Sequence, residues 1–150
     1  MPIVPGLRSP YDKVGRLVYF GRMLDKIRLH AAGKLPVSDY GANLGQGFDG
    51  RCCAFLRVSY DELKAKVLAG TSDDEVLAWA EQHGGRRSDE ECEIWNGFMI
   101  KRGWRDAGAT NLANRIRESG LEAKTVLTMF DYIDFDEGRD PIATRTWEKV

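Results

Sequence analysis

Apolar side chains recur at intervals of three and four residues along positions 12–33 of the sequence. The positions are Leu17, Phe20, Leu24, Ile27 and Ala31. This spacing is typical of a helix that turns one face toward a core. It predicts a helix of about six turns, ended at Gly33 and preceded by a proline-rich, extended arm over residues 1–11. We expect the rest of the chain to pack around this helix.

Three serines each precede a glutamate by three positions, which is the pattern of a helix-capping box. The pairs are Ser59 with Glu62, Ser72 with Glu75, and Ser88 with Glu91. Their side chains can satisfy the free amide groups of a first helical turn. The pattern therefore predicts three helices, which end at Gly70, at Gly84 and Gly85, and at Gly103.

Apolar spacing predicts two more helices toward the carboxy terminus, over residues 109–119 and about 123–134. Beyond Gly138 the sequence favours an extended tail, with Trp147 as its anchor against the domain. Together these segments predict an all-α fold. We expect one domain, residues 1–150, formed as a bundle of about six helices around the long amino-terminal helix, with an extended arm at each end.

Residues 36–50 contain four glycines and no hydrophobic period, and they are predicted to form a long loop. Gly45, Gly47 and Gly50 match the dinucleotide-binding pattern G-x-G-x-x-G, but no suitable strand or acidic residue accompanies them. Two interpretations stay open. Either the glycine amides and Arg51 hold a small anion, or the segment is a plain surface loop. The apolar run at 51–58 fits a buried helical turn or a strand.

Composition favours an ordinary globular protein, because 43% of the 150 residues are hydrophobic and 30% are charged. No apolar run approaches the roughly 18 residues of a membrane span, and the amino terminus lacks a signal-peptide pattern. We therefore expect a cytoplasmic protein with no membrane partner. Cys52, Cys53 and Cys92 lack the number and spacing of a disulfide framework or a zinc ribbon, and we expect buried thiols.

The net charge of −1 is unevenly distributed along the chain. Residues 1–34 hold seven basic and two acidic residues, whereas residues 121–150 hold four basic and seven acidic ones. Opposite charge at the two ends favours their attraction within the fold or between the subunits of a homodimer. A nearly neutral chain offers little attraction to nucleic acid, which we do not expect as a partner.

Arg28 falls on the apolar face of the predicted long helix, where an unpaired cation is costly. In a structural interpretation, Arg28 pairs with Asp25 or with the acidic carboxy-terminal region. In a functional one, it lines a cleft and binds a carboxylate or phosphate, helped by Arg22 or His30. The functional interpretation predicts that the substitution Arg28→Met abolishes ligand binding and leaves the fold intact.

Five carboxylates lie close together near the carboxy terminus: Asp131, Asp134, Asp136, Glu137 and Asp140. They do not match an EF-hand loop, which needs glycine at its sixth position and glutamate at its twelfth. A solvated helix end paired with Arg102, Arg105 or Arg139 is the favoured interpretation. A magnesium site or a carboxylate pair for proton transfer stays open.

Large aromatic residues surround the end of the third capped helix. This segment contains Trp95, Asn96, Phe98, Trp104 and Arg105. Such spacing is usual for a core, and the alternative is a ligand pocket or a subunit interface. The two histidines, His30 and His83, have no neighbours that would form a catalytic triad.

The candidate ligand-binding residues are therefore Arg22, Asp25, Arg28, Gly47, Arg51, Trp95 and Asn96. No catalytic residue, metal ligand or cofactor is predicted. The first hypothesis is that the protein binds a small anionic metabolite between the long helix and the glycine-rich loop, with or without an enzymatic step. The alternative is a non-enzymatic helical module for protein interaction or homodimerisation.

Several short motifs resemble one known family. They are Leu7-Arg8-Ser9-Pro10-Tyr11, Gly15, Arg22-Met23-Leu24-Asp25-Lys26-Ile27-Arg28, Gly47-Phe48-Asp49-Gly50, Asp89-Glu90-Glu91 and Trp95-Asn96. Over nearly its whole length the chain resembles the bacterial domain-of-unknown-function family 5069. The resemblance implies a single bacterial domain and carries over no activity, cofactor or site residue.

Overall fold

A short hairpin precedes the first helix in the computed structural model, which describes residues 3–145. Strand β1 (Lys13–Val14) pairs antiparallel with β2 (Leu17–Val18), with Val14 opposite Leu17. Gly15 supports the tight turn between them with a φ of 57°. Helix α1 (Phe20–Ala31) then follows.

The long helix predicted over residues 12–33 is therefore wrong in its first third. Leu17 and Val18 are buried in a strand, but their spacing to Phe20 and Leu24 also fits a helix. The hydrophobic pattern could not distinguish the two, because a short buried strand has the same apolar composition as one helical turn. Tyr19, with a φ of 71°, separates the hairpin from α1.

The rest of the described chain is mostly helical. Its elements are α2 (Val37–Tyr40), a 3₁₀ turn (Gly41–Asn43), α3 (Gly47–Leu56), α4 (Tyr60–Leu68), α5 (Asp73–Gly84), α6 (Asp89–Lys101), α7 (Ala109–Glu118), α8 (Met129–Asp136) and α9 (Pro141–Thr144). This content is consistent with the predicted all-α class. The finer prediction, a bundle around a six-turn helix, is not supported, because α1 has 12 residues.

The three predicted capped helices are confirmed as α4, α5 and α6. Ser59 and Ser72 each accept a hydrogen bond from the glutamate amide three residues later, at 3.3 Å. Ser88 forms the complete box, in which its hydroxyl accepts from the Glu91 amide and the Glu91 carboxylate accepts from the Ser88 amide. Local side-chain chemistry thus sets where these helices begin.

The glycine-rich segment at 36–50 is not a long loop. It contains α2, the 3₁₀ turn and the first residues of α3. The undecided apolar run at 51–58 belongs to α3 through Leu56, and Arg57 ends this helix in a left-handed conformation with a φ of 59°. Burial of Cys52, Cys53 and Leu56 stabilises α3 despite the glycines in its first turn.

The carboxy-terminal helix starts later than the predicted residue 123. Thr128 accepts a hydrogen bond from the Asp131 amide and caps α8 at Met129. The tail from Gly138 contains the short helix α9, in which Asp140 is the cap and Pro141 occupies the first turn. The predicted anchor Trp147 lies outside the described residues.

The main core lies between α1 and the helices α3 to α6, and Phe130 of α8 completes it. α1 is buried from Phe20 to Ile27 and packs against α4. Two smaller apolar clusters flank this core, one formed by Val4, Leu7, Leu35 and Tyr40 and the other by Leu112, Met129 and Tyr132. The thiols of Cys52, Cys53 and Cys92 are free and buried, as predicted.

The basic and acidic ends of the chain meet within the fold. Ser9 donates a hydrogen bond to Asp134 at 2.9 Å, and Tyr11 donates one to Asp131 at 2.6 Å.

Between residues 3 and 145, no helix combines the length and apolar character needed to cross a bilayer.

Candidate functional site

A cavity of about 570 Å³ opens between α1, α2 and α3 on one side and α7 and α8 on the other. Its walls contain five basic side chains, from Arg22, Lys26, Arg51, Arg102 and Arg115. They also contain three acidic ones, from Asp39, Asp136 and Glu137. This volume is within the usual range for small-molecule sites.

A buried ion pair forms one part of the cavity wall. Arg22 donates to both carboxylate oxygens of Glu137, at 2.8 and 2.6 Å, and Tyr40 donates to the same carboxylate at 2.8 Å. Arg139 adds a further contact at 2.5 Å. Burial disfavours the charge on Glu137, but the hydrogen bonds and the charge of Arg22 outweigh burial and lower the pKa of this carboxyl.

A second polar group lies one turn farther along α1. Lys26 contacts Asp49 at 2.7 Å and the Tyr19 hydroxyl at 3.0 Å, and Tyr19 donates to the same Asp49 oxygen at 2.6 Å. Burial lowers the pKa of the Lys26 ammonium, since desolvation outweighs the attraction of Asp49. Burial, reinforced by Asp49, raises the pKa of the Tyr19 hydroxyl well above its ordinary value.

The other three cations of the cavity wall, Arg51, Arg102 and Arg115, do not share the buried carboxylate partners of Arg22 and Lys26. Arg102 pairs with Asp106 at 3.6 Å, and both Arg51 and Arg102 lie against the Phe98 ring. Arg51 forms no ion pair with any residue in 3–145. The buried Nε of Arg115 likewise has no hydrogen-bond partner in this part of the chain. A buried donor without a partner is rare in folded proteins and calls for an explanation.

Two helix amino termini meet the cavity. Gly47 and Phe48 of the first turn of α3 line it, as do Gly108 and Asn111 at the start of α7. Neither helix has a side-chain cap. The free amide groups and the dipoles of both helices add to the positive potential of the neighbouring arginines.

A family model, Domain of unknown function (DUF5069), matches residues 4–139. The chain belongs to DUF5069. No curated protein and no solved structure matches it. The matched range includes every residue that lines the cavity, so the cavity is part of the DUF5069 domain itself.

Three of the seven candidate residues of this DUF5069 chain lie around the cavity. Arg22, Gly47 and Arg51 line it, whereas the structure puts the other four, Asp25, Arg28, Trp95 and Asn96, elsewhere. The predicted pocket thus shares α1 and the glycine-rich segment with the observed cavity but not the Trp95 helix. α7 and α8 form the opposite wall instead.

The prediction that Arg28 lies within the apolar face of the helix is wrong. Its side chain is 34% exposed, because the buried part of α1 ends at Ile27. Arg28 pairs with Asp73 at 2.7 Å and lies 3.9 Å from Asp25, which itself forms two hydrogen bonds with the Arg8 guanidinium. Arg28 and Asp25 therefore belong to an ion-pair network at the start of α5.

Trp95 and Asn96 have structural contacts in the DUF5069 fold. Trp95 stacks on Phe55 with 4.8 Å between ring centroids. Asn96 donates to the Arg16 carbonyl at 2.7 Å and accepts from the Val18 amide at 3.1 Å, which holds the hairpin against α6. The core interpretation of this aromatic segment fits these contacts, except that Phe98 and Trp104 are largely exposed.

The carboxylate cluster near the carboxy terminus is not a solvated helix end. Asp131, Asp134 and Glu137 are buried, and Arg139 pairs with the last two. Of the predicted partners Arg102, Arg105 and Arg139, only Arg139 pairs with this cluster within the described range. No group of three or more His, Cys, Asp or Glu side chains among residues 3–145 is arranged to hold a metal ion.

Sequence reasoning missed several residues of the cavity. They are Tyr19, Lys26, Arg102 and Arg115 as lining residues, Glu137 as the partner of Arg22 and Asp49 as the partner of Lys26. Two signals were available in the sequence. Lys26 follows Arg22 by one helical turn, and Asn111, Arg115 and Ser119 recur every four residues along α7, which puts them on one polar face.

Proposed function

We propose that this DUF5069 chain binds a small anionic metabolite in the cavity between α1, α3, α7 and α8. The observation that carries the proposal is the state of two cations in the cavity wall. Arg51 has no acidic partner among the described residues, and the buried Nε of Arg115 has no hydrogen-bond partner there. An anion bound between them would pair with both guanidinium groups.

The other cations of the cavity are less available to a ligand than Arg51 and Arg115. Arg22 is already satisfied by Glu137, so it contributes structure and potential rather than a free donor. The guanidinium groups of Arg51 and Arg115 are planar forks that match carboxylate and phosphate oxygens. The ligand class is therefore a carboxylate or phosphate ester of metabolite size.

A cytoplasmic location is part of the same proposal. The free thiols of Cys52, Cys53 and Cys92 are compatible with a reducing compartment. Metabolites that carry carboxylate or phosphate groups are also abundant in that compartment.

Calorimetric titration with inorganic pyrophosphate and with citrate tests the proposal. We expect at least one of the two probes to bind, and Arg51→Met and Arg115→Met each to weaken its binding by about tenfold to a hundredfold. Binding should also weaken as salt concentration rises, because salt screens the charged contacts.

Arg117→Met is the matched control, because Arg117 is an exposed arginine on the same helix as Arg115 and does not line the cavity. Its affinity for the probe should equal that of the wild-type chain. The proposal fails if neither probe binds, or if Arg117→Met loses as much affinity as Arg115→Met.

A further inference from the structure

Lys26 is an unusual residue for a protein interior. Its side chain is 5% exposed, and its amine contacts one carboxylate, Asp49, and one hydroxyl, Tyr19. Lysines are almost never this deeply buried without a partner, and a buried ion pair adds little stability compared with apolar side chains of similar size. Lys26 is also one of the residues that line the cavity.

The surroundings of Lys26 lower the pKa of its ammonium group. Burial has the largest effect on its pKa and lowers it, and the positive charge of Arg22, one turn away on α1, acts in the same direction. Asp49 opposes both but does not outweigh them. A neutral amine is the nucleophilic form of lysine, and desolvation or a neighbouring cation is how proteins populate it near neutral pH.

We propose that Lys26 forms an imine with the carbonyl carbon of a small carbonyl-bearing anion, either a 2-oxo acid or a keto phosphate. The inference rests on the proposed function, because Arg51 and Arg115 would hold the anionic group of the same molecule. It adds a covalent step and narrows the ligand class to anions that contain an aldehyde or ketone.

The step is balanced without an oxidant or a reductant. The Lys26 nitrogen attacks the carbonyl carbon, a carbon–nitrogen bond forms, and the carbonyl π electrons move onto oxygen. That oxygen then leaves as water with the two hydrogens of the neutral amine, and a carbon–nitrogen double bond replaces the carbon–oxygen double bond.

Two neighbours of Lys26 are suited to move the protons. Asp49 lies 2.7 Å from the amine and can accept a proton as the nitrogen gives it up. Tyr19 stays protonated because burial raises its pKa, and its hydroxyl lies 3.0 Å from the amine and donates to Asp49 at 2.6 Å. Once it turns away from Asp49, this hydroxyl can donate to the carbonyl oxygen as that oxygen becomes negative.

Reductive trapping tests this inference on the intact protein. The chain is incubated with pyruvate or with dihydroxyacetone phosphate in the presence of sodium cyanoborohydride, which converts an imine into a stable secondary amine. Peptide mass mapping then locates the adduct. With at least one of the two probes, we expect about tenfold more adduct on Lys26 than on the exposed Lys34, and acetone, which has no charge, should give none on Lys26.

Two variants serve as controls. Lys34→Met should leave trapping on Lys26 unchanged, and Lys26→Met should remove it. If Lys26→Met fails to fold, peptide mass mapping of the wild-type protein still tests the inference, because it shows which individual lysine carries the adduct.

Three further results are informative. Equal labelling of Lys26 and Lys34 overturns the inference. Absence of an adduct on Lys26 while pyrophosphate or citrate still binds overturns it too and leaves the proposed function standing. Absence of both the adduct and anion binding overturns the two proposals together.

Discussion

At the scale of single residues, a buried ion pair between Arg22 and Glu137 forms part of the cavity wall and stabilises the fold. Arg22 and Glu137 are 4% and 2% exposed, and removal of Glu137 would leave Arg22 as an uncompensated buried charge. Breaking such a pair costs much more than breaking a surface pair, because the remaining charge cannot return to water. The contribution of each arginine to the free energy of unfolding therefore depends on how deeply its ion pair is buried.

Glu137→Gln is expected to lower the free energy of unfolding by about 3 kcal/mol at neutral pH, as measured by urea denaturation. Glu122→Gln, an exposed control, should change it by less than about 0.5 kcal/mol. Since the folded-state pKa of Glu137 lies below its ordinary value, its contribution is present above that value and is lost as pH falls through the folded pKa. The difference between wild type and Glu137→Gln should therefore shrink in acid; a difference that grows in acid would contradict this.

Arg28→Met should leave anion binding unchanged, contrary to the expectation from sequence alone. Arg28 lies outside the cavity and pairs at the surface with Asp73, which also binds Arg8. We expect a loss of about 0.5 to 1 kcal/mol in unfolding free energy, the usual range for a partly exposed pair. Calorimetry and urea denaturation measure the two effects, and loss of binding without loss of stability would restore Arg28 to the site.

At the scale of elements, helix caps could be predicted from sequence and the first hairpin could not. The capping box of Ser88 and Glu91 lies within four consecutive residues and is formed by hydrogen bonds between those two residues. It can therefore be recognised from the local sequence. The hairpin depends on a two-residue turn at Gly15 and on Asn96, which binds the backbone of Arg16 and Val18 from 78 or more residues away. A hydrophobic period cannot report such a distant contact.

Gly15→Ala should destabilise the fold by about 1 kcal/mol or more, because the position has a φ of 57° and an added Cβ would lie 3.0 Å from Leu77. Gly97→Ala is the matched control in α6, where no atom of residues 3–145 lies within 4 Å of the added Cβ. It should stabilise by up to about 1 kcal/mol, since alanine is the better helix former. Thermal unfolding of both variants checks the pair, and shifts of the same sign would contradict the assigned hairpin turn.

At the scale of the whole molecule, folding brings basic residues near the amino terminus together with acidic residues near the carboxy terminus. Arg22 and Glu137, which are 115 residues apart, pair in the interior, and Arg139 also binds the Leu7 carbonyl. Charge counts at the two ends indicated this attraction but could not say which residues meet. Homodimerisation through the same charges stays a prediction.

The cavity is also a property of the whole molecule. Its walls come from α1 and α3 near the start of the chain and from α7 and α8 near its end. Of the residues proposed from sequence, Arg22, Gly47 and Arg51 line the cavity. Arg115 was missed because the polar face that it shares with Asn111 and Ser119 looks like an ordinary solvated surface until the opposing wall is known.

The Nε–H group of Arg115 gives the most direct test of anion binding in the cavity. Its resonance in a ¹⁵N-edited NMR spectrum reports whether this buried donor gains an acceptor. We predict that the pyrophosphate or citrate probe that binds shifts the Arg115 resonance in a saturable manner, while the Arg117 resonance stays in place. An Arg115 resonance that does not move with saturating amounts of either probe would show that no anion binds at this position.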